Sequence, residues 1–305
     1  GALGAIVGHV TGYVVVSIVG LIFLLSFIKS GDGDGYSEII IEILKYGLPL
    51  YAAAIITCFL PQYYNILLAR FVTDEEIGNF SVTNLFVNVP MLLTMPITSS
   101  LFPVFSRVRQ NEKKKLESIL NNSILYASFI VVPAVVGTCV FSEEIVNILY
   151  GRAYNLAPKY ISLWMLQNLY IVLGFPIVGT FFSGQGETII NFYTSVLVAG
   201  VTLPLTYLLV LRMRVIGLII GVLIAQLAGR VYAVWMVKRY GIHFSLRPLK
   251  VLIPIGFSAA PAYLIAKTIE NSLVALIVGG TAVSYTHLRA HETEADLVCR
   301  LLLEK

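Results

Sequence analysis

The feature that most restricts this chain is a succession of apolar runs too long for a buried strand or an ordinary core helix. Residues 189–211 contain no charged side chain, and residues 216–237 contain only Arg230. About 20 mostly apolar residues cross the hydrocarbon core of a bilayer, whereas 10 to 14 indicate a buried core helix at most. In lipid, every backbone N–H and C=O must be bonded internally, so runs of this length span as helices. The pattern places spans near residues 4–28, 44–69, 80–105, 122–141, 157–182, 189–211, 216–237 and 249–266, with an incomplete run from Leu273. The expected fold class is all-α, a polytopic transmembrane helix bundle of about eight complete spans plus a truncated one.

Composition closes the soluble alternative. The chain is 57% hydrophobic and 12% charged, with a mean hydropathy of +0.84. Soluble domains carry roughly 25% charged residues, so this chain could not cover its own surface in water. The net charge of +4 does not point to nucleic acid, because the basic residues sit between the apolar runs, where they set topology. Cys58, Cys139 and Cys299 show neither a disulfide framework nor metal-ligand spacing, and no metal or cofactor is expected.

Punctuation within the spans carries further expectations. Pro49, Pro61, Pro90, Pro96, Pro133, Pro176, Pro204 and Pro254 lie in or near them, so kinks are expected where neighbouring helices re-satisfy freed carbonyls. Gly4, Gly8 and Gly12 form a small-residue ridge suited to close helix packing. The segment Gly-Asp-Gly-Asp-Gly at 31–35 is not a calcium loop, since the twelfth position, which should hold a carboxylate, is Ile43. It reads instead as a flexible linker.

Alternate loops differ in Lys and Arg. One set (29–43, 106–121, 183–188 and 238–248) holds Lys29, Arg107, Arg109, the triplet Lys113, Lys114 and Lys115, Lys238, Arg239 and Arg247. The other set has fewer cations and is rich in acids, among them Asp74, Glu75, Glu76, Glu143 and Glu144. By the positive-inside bias the first set faces the cytoplasm, with Arg212 and Arg214 on the less favoured side.

From Val283 the sequence changes character. The stretch VSYTHLRAHETEADLVCRLLLEK resembles a translated transposase-type sequencing adapter, so residues 283–305 carry no functional assignment. Both ends are then expected to be truncated, and the chain to be a fragment of a larger gene.

Three stretches in order carry a second resemblance: LKYGLPLYAAAIITCFLPQYYNILLARFVTDEEIGNFSV from Leu44, LYGRAYNLAPKYISLWML from Leu149 and SGQGET from Ser183. With the spans between them, residues 1–282 resemble the oligosaccharide-flippase branch of the multidrug/oligosaccharidyl-lipid/polysaccharide exporter superfamily. The resemblance implies a two-lobe transporter working by alternating access in the plasma membrane, not an enzyme. Residues 1–28 would close the N-terminal lobe, 29–43 form a cytoplasmic linker, 44–238 a C-terminal six-helix lobe, and 239–282 appended, truncated spans. The implied activity is flipping of a polyprenyl-phosphate-linked oligosaccharide from the cytoplasmic to the outer leaflet for cell-surface glycan biosynthesis. The implied partners are that lipid-linked oligosaccharide, membrane lipids and a glycan polymerase or ligase. The alternative is a cation-coupled multidrug or lipid-precursor exporter of the same superfamily.

Polar side chains inside spans are the first candidates for a wet cavity, because each is costly in lipid. Arg230 could pair with a lipid phosphate, or snorkel to the interface beside Lys238 and Arg239. Gln62, Asn65 and Ala69 follow helical spacing and lead to Arg70, a stripe that fits a cavity face or interhelical hydrogen bonding equally. Asn84 and Asn88 form a similar stripe, as do Gln167 and Asn168, and Gln226 lies one turn before Arg230. Many relatives of this type carry a carboxylate where Tyr64 and Asn65 stand here, which weakens proton or sodium coupling through this helix. His9 reads as a packing residue, and Glu187 as a cap for the following helix. No nucleophile-base set or phosphate-cradling loop is visible.

Overall fold

The structure, a computed structural model, describes residues 2–29 and 36–252. The 31–35 linker, nearly all of the expected span at 249–266, the run from Leu273 and the tail from Val283 lie outside the described residues. Among the described residues every element is helical: α1 (Ala2–Lys29), α2 (Tyr36–Phe71), α3 (Asp74–Val87), α4 (Val89–Arg107), α5 (Lys113–Val140), α6 (Ser142–Leu149), α7 (Ala157–Trp164), α8 (Ile177–Gly184) and α9 (Thr188–Arg239). Two 3-10 stretches occupy Met165–Leu173 and Arg247–Val251. The chain divides into two compact units, Gly1–Leu48 and Pro49–Lys305.

In the first unit, α1 is apolar and exposed along its described side chains, as suits a lipid-facing helix. On the glycine ridge, nothing among the described residues lies within 4 Å of a Cβ built on Gly4, Gly8 or Gly12. The helix of α2 begins at Tyr36. The linker expected over 29–43 is therefore shorter, because no Gly or Pro interrupts the chain between Gly35 and Gly47.

The second unit is organised around α5, whose buried residues Leu116, Leu120, Ile124, Ala127, Val131 and Val135 recur every three or four positions. That spacing draws one continuous apolar face along the helix. Phe105 of α4 and Phe181 of α8 pack edge to face beside it, 5.4 Å between centroids. The helix starts at Lys113, so the basic triplet forms its first turn instead of lying in the loop expected over 106–121. Lys, Leu and Glu are strong helix formers and extend it past the apolar stretch.

Two expected spans are broken. The third divides into α3 and α4 at Asn88. Pro90 has no amide to offer the carbonyl of Phe86, which takes the N–H of Asn88 instead. The fifth runs as α7, a 3-10 stretch and α8, with a 43° bend at the break. Gly174 sits there at φ +88°, and a Cβ on it would lie 2.5 Å from Val178 Cγ2 and 3.1 Å from Ile124 Cδ1. Glycine is required on both counts.

The 52 residues of α9 are two antiparallel helices joined at Arg214, where the backbone turns at φ 50°, ψ −130°. Each half is about 37 Å long, enough for the roughly 30 Å hydrocarbon core. The second half presents Gly217, Gly221, Ala225, Gly229 and Ala233, all buried, to Val198, Thr202, Thr206 and Val210 of the first. A Cβ on Gly217 would fall against the Leu209 carbonyl, and one on Gly221 would lie 2.7 Å from Thr206 Cγ2. Small residues every fourth position let the two backbones touch.

Hydrogen bonds tie together the described loops at each end of this unit. At the basic end, Gln185 Nε2 of the SGQGET turn donates to the carbonyls of Phe105 and Val108, and Asn121 Nδ2 donates to the His243 carbonyl. At the other end, Arg214 Nη1 pairs with Glu76 Oε2 at 3.0 Å. Asn79, buried on α3, accepts the amides of Leu156 and Ala157 at 3.1 and 3.0 Å, satisfying the first turn of α7. The first two sequence stretches singled out above thus meet at one side chain. Glu187 stands at the N-cap position of α9, but its side chain makes no capping hydrogen bond, unlike the expectation.

Candidate functional site

Two neighbouring cavities share Gln167, Phe175 and Pro176 of the broken span. One, about 350 Å³, lies between α4 (Asn88, Met91, Thr94, Met95, Thr98) and the broken span (Asn168, Ile171, Thr180). The other, about 370 Å³, is walled by Thr57, Leu60, Pro61 and Tyr64 of α2 and by Asn191, Thr194, Gln226 and Arg230 of the α9 hairpin.

The breaks in the helices position the polar walls. At the α3–α4 break the Met91 amide bonds the Asn88 carbonyl, leaving the Val87 carbonyl to another partner. Asn168 Nδ2 supplies it at 3.2 Å, tying the broken span to α3. At the second break the exposed ring of Phe175 is offered to Arg230, whose guanidinium carbon lies 3.9 Å from the ring centroid. Arg230 Nη2 donates to Gln226 Oε1 at 2.8 Å, so the guanidinium turns back along the helix toward Gln226. Arg230 Nε is buried with no hydrogen-bond partner among the described residues. Tyr170 Oη donates to the Leu223 carbonyl at 2.8 Å, and Asn191 Nδ2 to the Gly179 carbonyl and Ser183 Oγ at 3.0 and 2.9 Å. These bonds fix the hairpin against the broken span.

Of the residues singled out from sequence, Gln226 and Arg230 come together on one wall, and Asn88 lines the adjoining cavity. Asn84 is partly buried, and its backbone carbonyl accepts from Asn88 Nδ2 at 2.8 Å. Gln62, Asn65 and Arg70 are exposed and line neither cavity. The face that α2 turns to the second cavity is Thr57, Leu60, Pro61 and Tyr64, whose spacing of three, one and three marks a helical row. Phe175 was not singled out, although Gly174 and Pro176 around it announce a break. Asn191, just past the SGQGET turn, was missed as well.

Arg230 also borders an apolar groove of about 220 Å³ with Leu173, Val231, Val234, Trp235 and Lys238. An intramembrane arginine costs about 2.5–3.5 kcal/mol on insertion scales. Stacking on Phe175 and one bond to Gln226 offset part of this, and Nε is left buried without a hydrogen-bond partner among the described residues. A planar guanidinium suits the oxygens of a phosphate, while carboxamides such as Gln167 and Gln226 suit hydroxyl groups.

Residues 4–158 match the family described as polysaccharide biosynthesis protein, which covers half of the chain. The chain belongs to this family. Two curated relatives agree with the assignment. A probable low-salt glycan biosynthesis flippase of Haloferax volcanii is 27% identical over 113 residues, 35% of this chain and 24% of that protein. A lipopolysaccharide biosynthesis protein of Escherichia coli is 25% identical over 189 residues, 62% of this chain and 38% of that protein. The chain therefore spans well under half the length of these relatives. Among solved structures, a lipid II flippase in an inward closed conformation matches with a TM-score of 0.68 at 14% identity, over 94% of this chain and 62% of that one. An outward-facing multidrug resistance transporter matches at 0.56 and 14%, over 81% and 63%. At these identities the likeness is one of fold. This member of the polysaccharide biosynthesis protein family is a multi-pass membrane protein with the helical architecture of those transporters.

Proposed function

We propose that this chain is part of a flippase that moves a polyprenyl-phosphate-linked oligosaccharide from the cytoplasmic to the outer leaflet, with the two cavities forming one lobe's share of the substrate path. The observation that carries the reading is Arg230, which stands between an amide-lined cavity and an apolar groove with a buried, unpartnered Nε. A flippase must separate a wet, sugar-bearing headgroup from an isoprenoid tail while neutralising the phosphate between them, and this juxtaposition offers each environment in that order. Gln167, Gln226 and Asn88 would meet sugar hydroxyls, and Arg230 the phosphate. The protein would alternate access between leaflets without making or breaking covalent bonds, and a glycan polymerase or ligase would use the product on the far leaflet.

The test uses the complete gene. Deletion is expected to leave lipid-linked glycan on the cytoplasmic leaflet and to remove surface glycan. Complementation with Arg230→Ala is expected to restore little flipping at undiminished membrane abundance, and Arg230→Lys more. Unchanged glycan with new sensitivity to lipophilic cations would reject the proposal in favour of a drug exporter.

A further inference from the structure

At the basic end of the second unit, a polar cleft of about 330 Å³ separates the first turns of α5 from the segment that follows α9. Its walls are Lys114, Ser118 and Asn122 on one side and His243, Ser245 and Arg247 on the other. The cleft is built, because its walls are bonded to each other. Asn121 donates to the His243 carbonyl at 2.8 Å and accepts the Ser245 amide at 2.9 Å, while Glu117 Oε2 accepts the His243 amide at 3.0 Å.

The charge inside is unbalanced. Glu117 is the one acid on the walls and already has an oxygen engaged by a backbone amide, whereas Lys114 and Arg247 have no ion-pair partner among the described residues. The polarity is also graded. From Lys114 to Leu125, the apolar residue at the far end of the cleft, α5 rises about 16 Å. It passes Lys114, then Glu117 and Ser118, then the carboxamides of Asn121 and Asn122, then Leu125, while Arg247 reaches in from the opposite wall. Apolar sequence suited to the hydrocarbon core starts near Asn122, so the cleft occupies the depth at which lipid headgroups lie. A soluble anion would have no use for the apolar end.

We propose that this cleft binds the headgroup of an anionic phospholipid of the inner leaflet. Its phosphate lies between Lys114 and Arg247, its glycerol oxygens meet Ser118 and Asn122, and its acyl chains leave past Leu125. The bound lipid joins α5 to the segment leading from the α9 hairpin toward the C-terminal end of the chain. It is independent of the cavity at Arg230 and of the molecule transported.

The experiment takes the complete protein in detergent and titrates phosphatidylglycerol, phosphatidylcholine or inorganic phosphate, following lipid adducts by native mass spectrometry and the thermal midpoint. Phosphatidylglycerol is expected to bind and to raise the midpoint well above phosphatidylcholine. K114Q with R247Q is expected to weaken its binding roughly tenfold or more. K115Q is expected to leave it unchanged, Lys115 being exposed and paired with Glu112 instead. E117Q, which keeps an acceptor for the His243 amide while removing the acid, is expected to tighten it, a gain that misfolding could not produce. Equal binding of both phospholipids, an undiminished effect in K114Q/R247Q, or full reproduction of the effect by inorganic phosphate would each overturn the proposal.

Discussion

Replacing Gly221 by alanine tests the tight α9 hairpin most directly. The new Cβ would stand 2.7 Å from Thr206 Cγ2, 3.1 Å from Thr206 Cα and 3.2 Å from Thr206 N. Carbon atoms in contact settle at about 3.5–4.0 Å, so the two helices must part by roughly 1 Å or the threonine must move. Thr206 is fully buried and its hydroxyl donates to the Thr202 carbonyl at 2.6 Å, which leaves it little freedom. Parting by that much forfeits a quarter to a half of the attraction at each close contact, and overpacking of this kind costs about 1–3 kcal/mol. Alanine also gains about 1 kcal/mol of helix propensity, which Gly200→Ala isolates, since nothing lies within 4 Å of a Cβ at Gly200. The measurement is the midpoint of thermal aggregation in detergent for both variants. Gly221→Ala is expected to melt roughly 2–12 °C below Gly200→Ala, from about 2–4 °C per kcal/mol for a body of this size. Coincident curves would refute the reasoning and mean that the helices stand further apart.

Three further outcomes are expected. Asn79→Ala leaves the amides of Leu156 and Ala157 without their acceptor and should cost about 1–3 kcal/mol in the same thermal assay, with Asn79→Asp recovering part of it through its carboxylate. Arg214→Gly should raise the midpoint by about 1 kcal/mol equivalent, since it relieves a φ of 50°. The ion pair that it removes is weak, because the arginine side chain is 59% exposed. In the complete protein, Gln226→Leu should reduce flipping less than Arg230→Ala, measured as surface glycan at matched membrane abundance, because Gln226 orients the guanidinium without carrying charge.

Span positions were legible because hydropathy alone places a helix in lipid, and the second unit shows helices where the apolar runs predicted them. The ends were not, since helix formers such as Lys113 and Glu42 continue a helix beyond the bilayer. For candidate residues, polar spacing reports that a face exists but not which neighbour it meets. That is why Gln62 and Asn65 share a stripe yet stand exposed, while Tyr64 borders a cavity. The pairing of Gln226 with Arg230 was readable because a single helix carries both. The contact of Arg230 with Phe175 was not, because it depends on a bend 55 residues upstream. The small-residue ladder from Gly217 to Ala233 was open to inspection, and its fourfold spacing is the signal for such a hairpin.

The joint at Asn79 separates what holds the helix ends together from what lines the cavities. Two of the three sequence stretches singled out at the start meet at the ends of the helices, where one carboxamide clasps the start of α7. The amide and charged side chains around the two cavities, Asn88, Gln167, Asn168, Asn191, Gln226 and Arg230, all fall outside those stretches. The clasp and the polar cavity walls thus lie on separate parts of the chain, so breaking the clasp by Asn79→Ala removes none of the side chains that line either cavity.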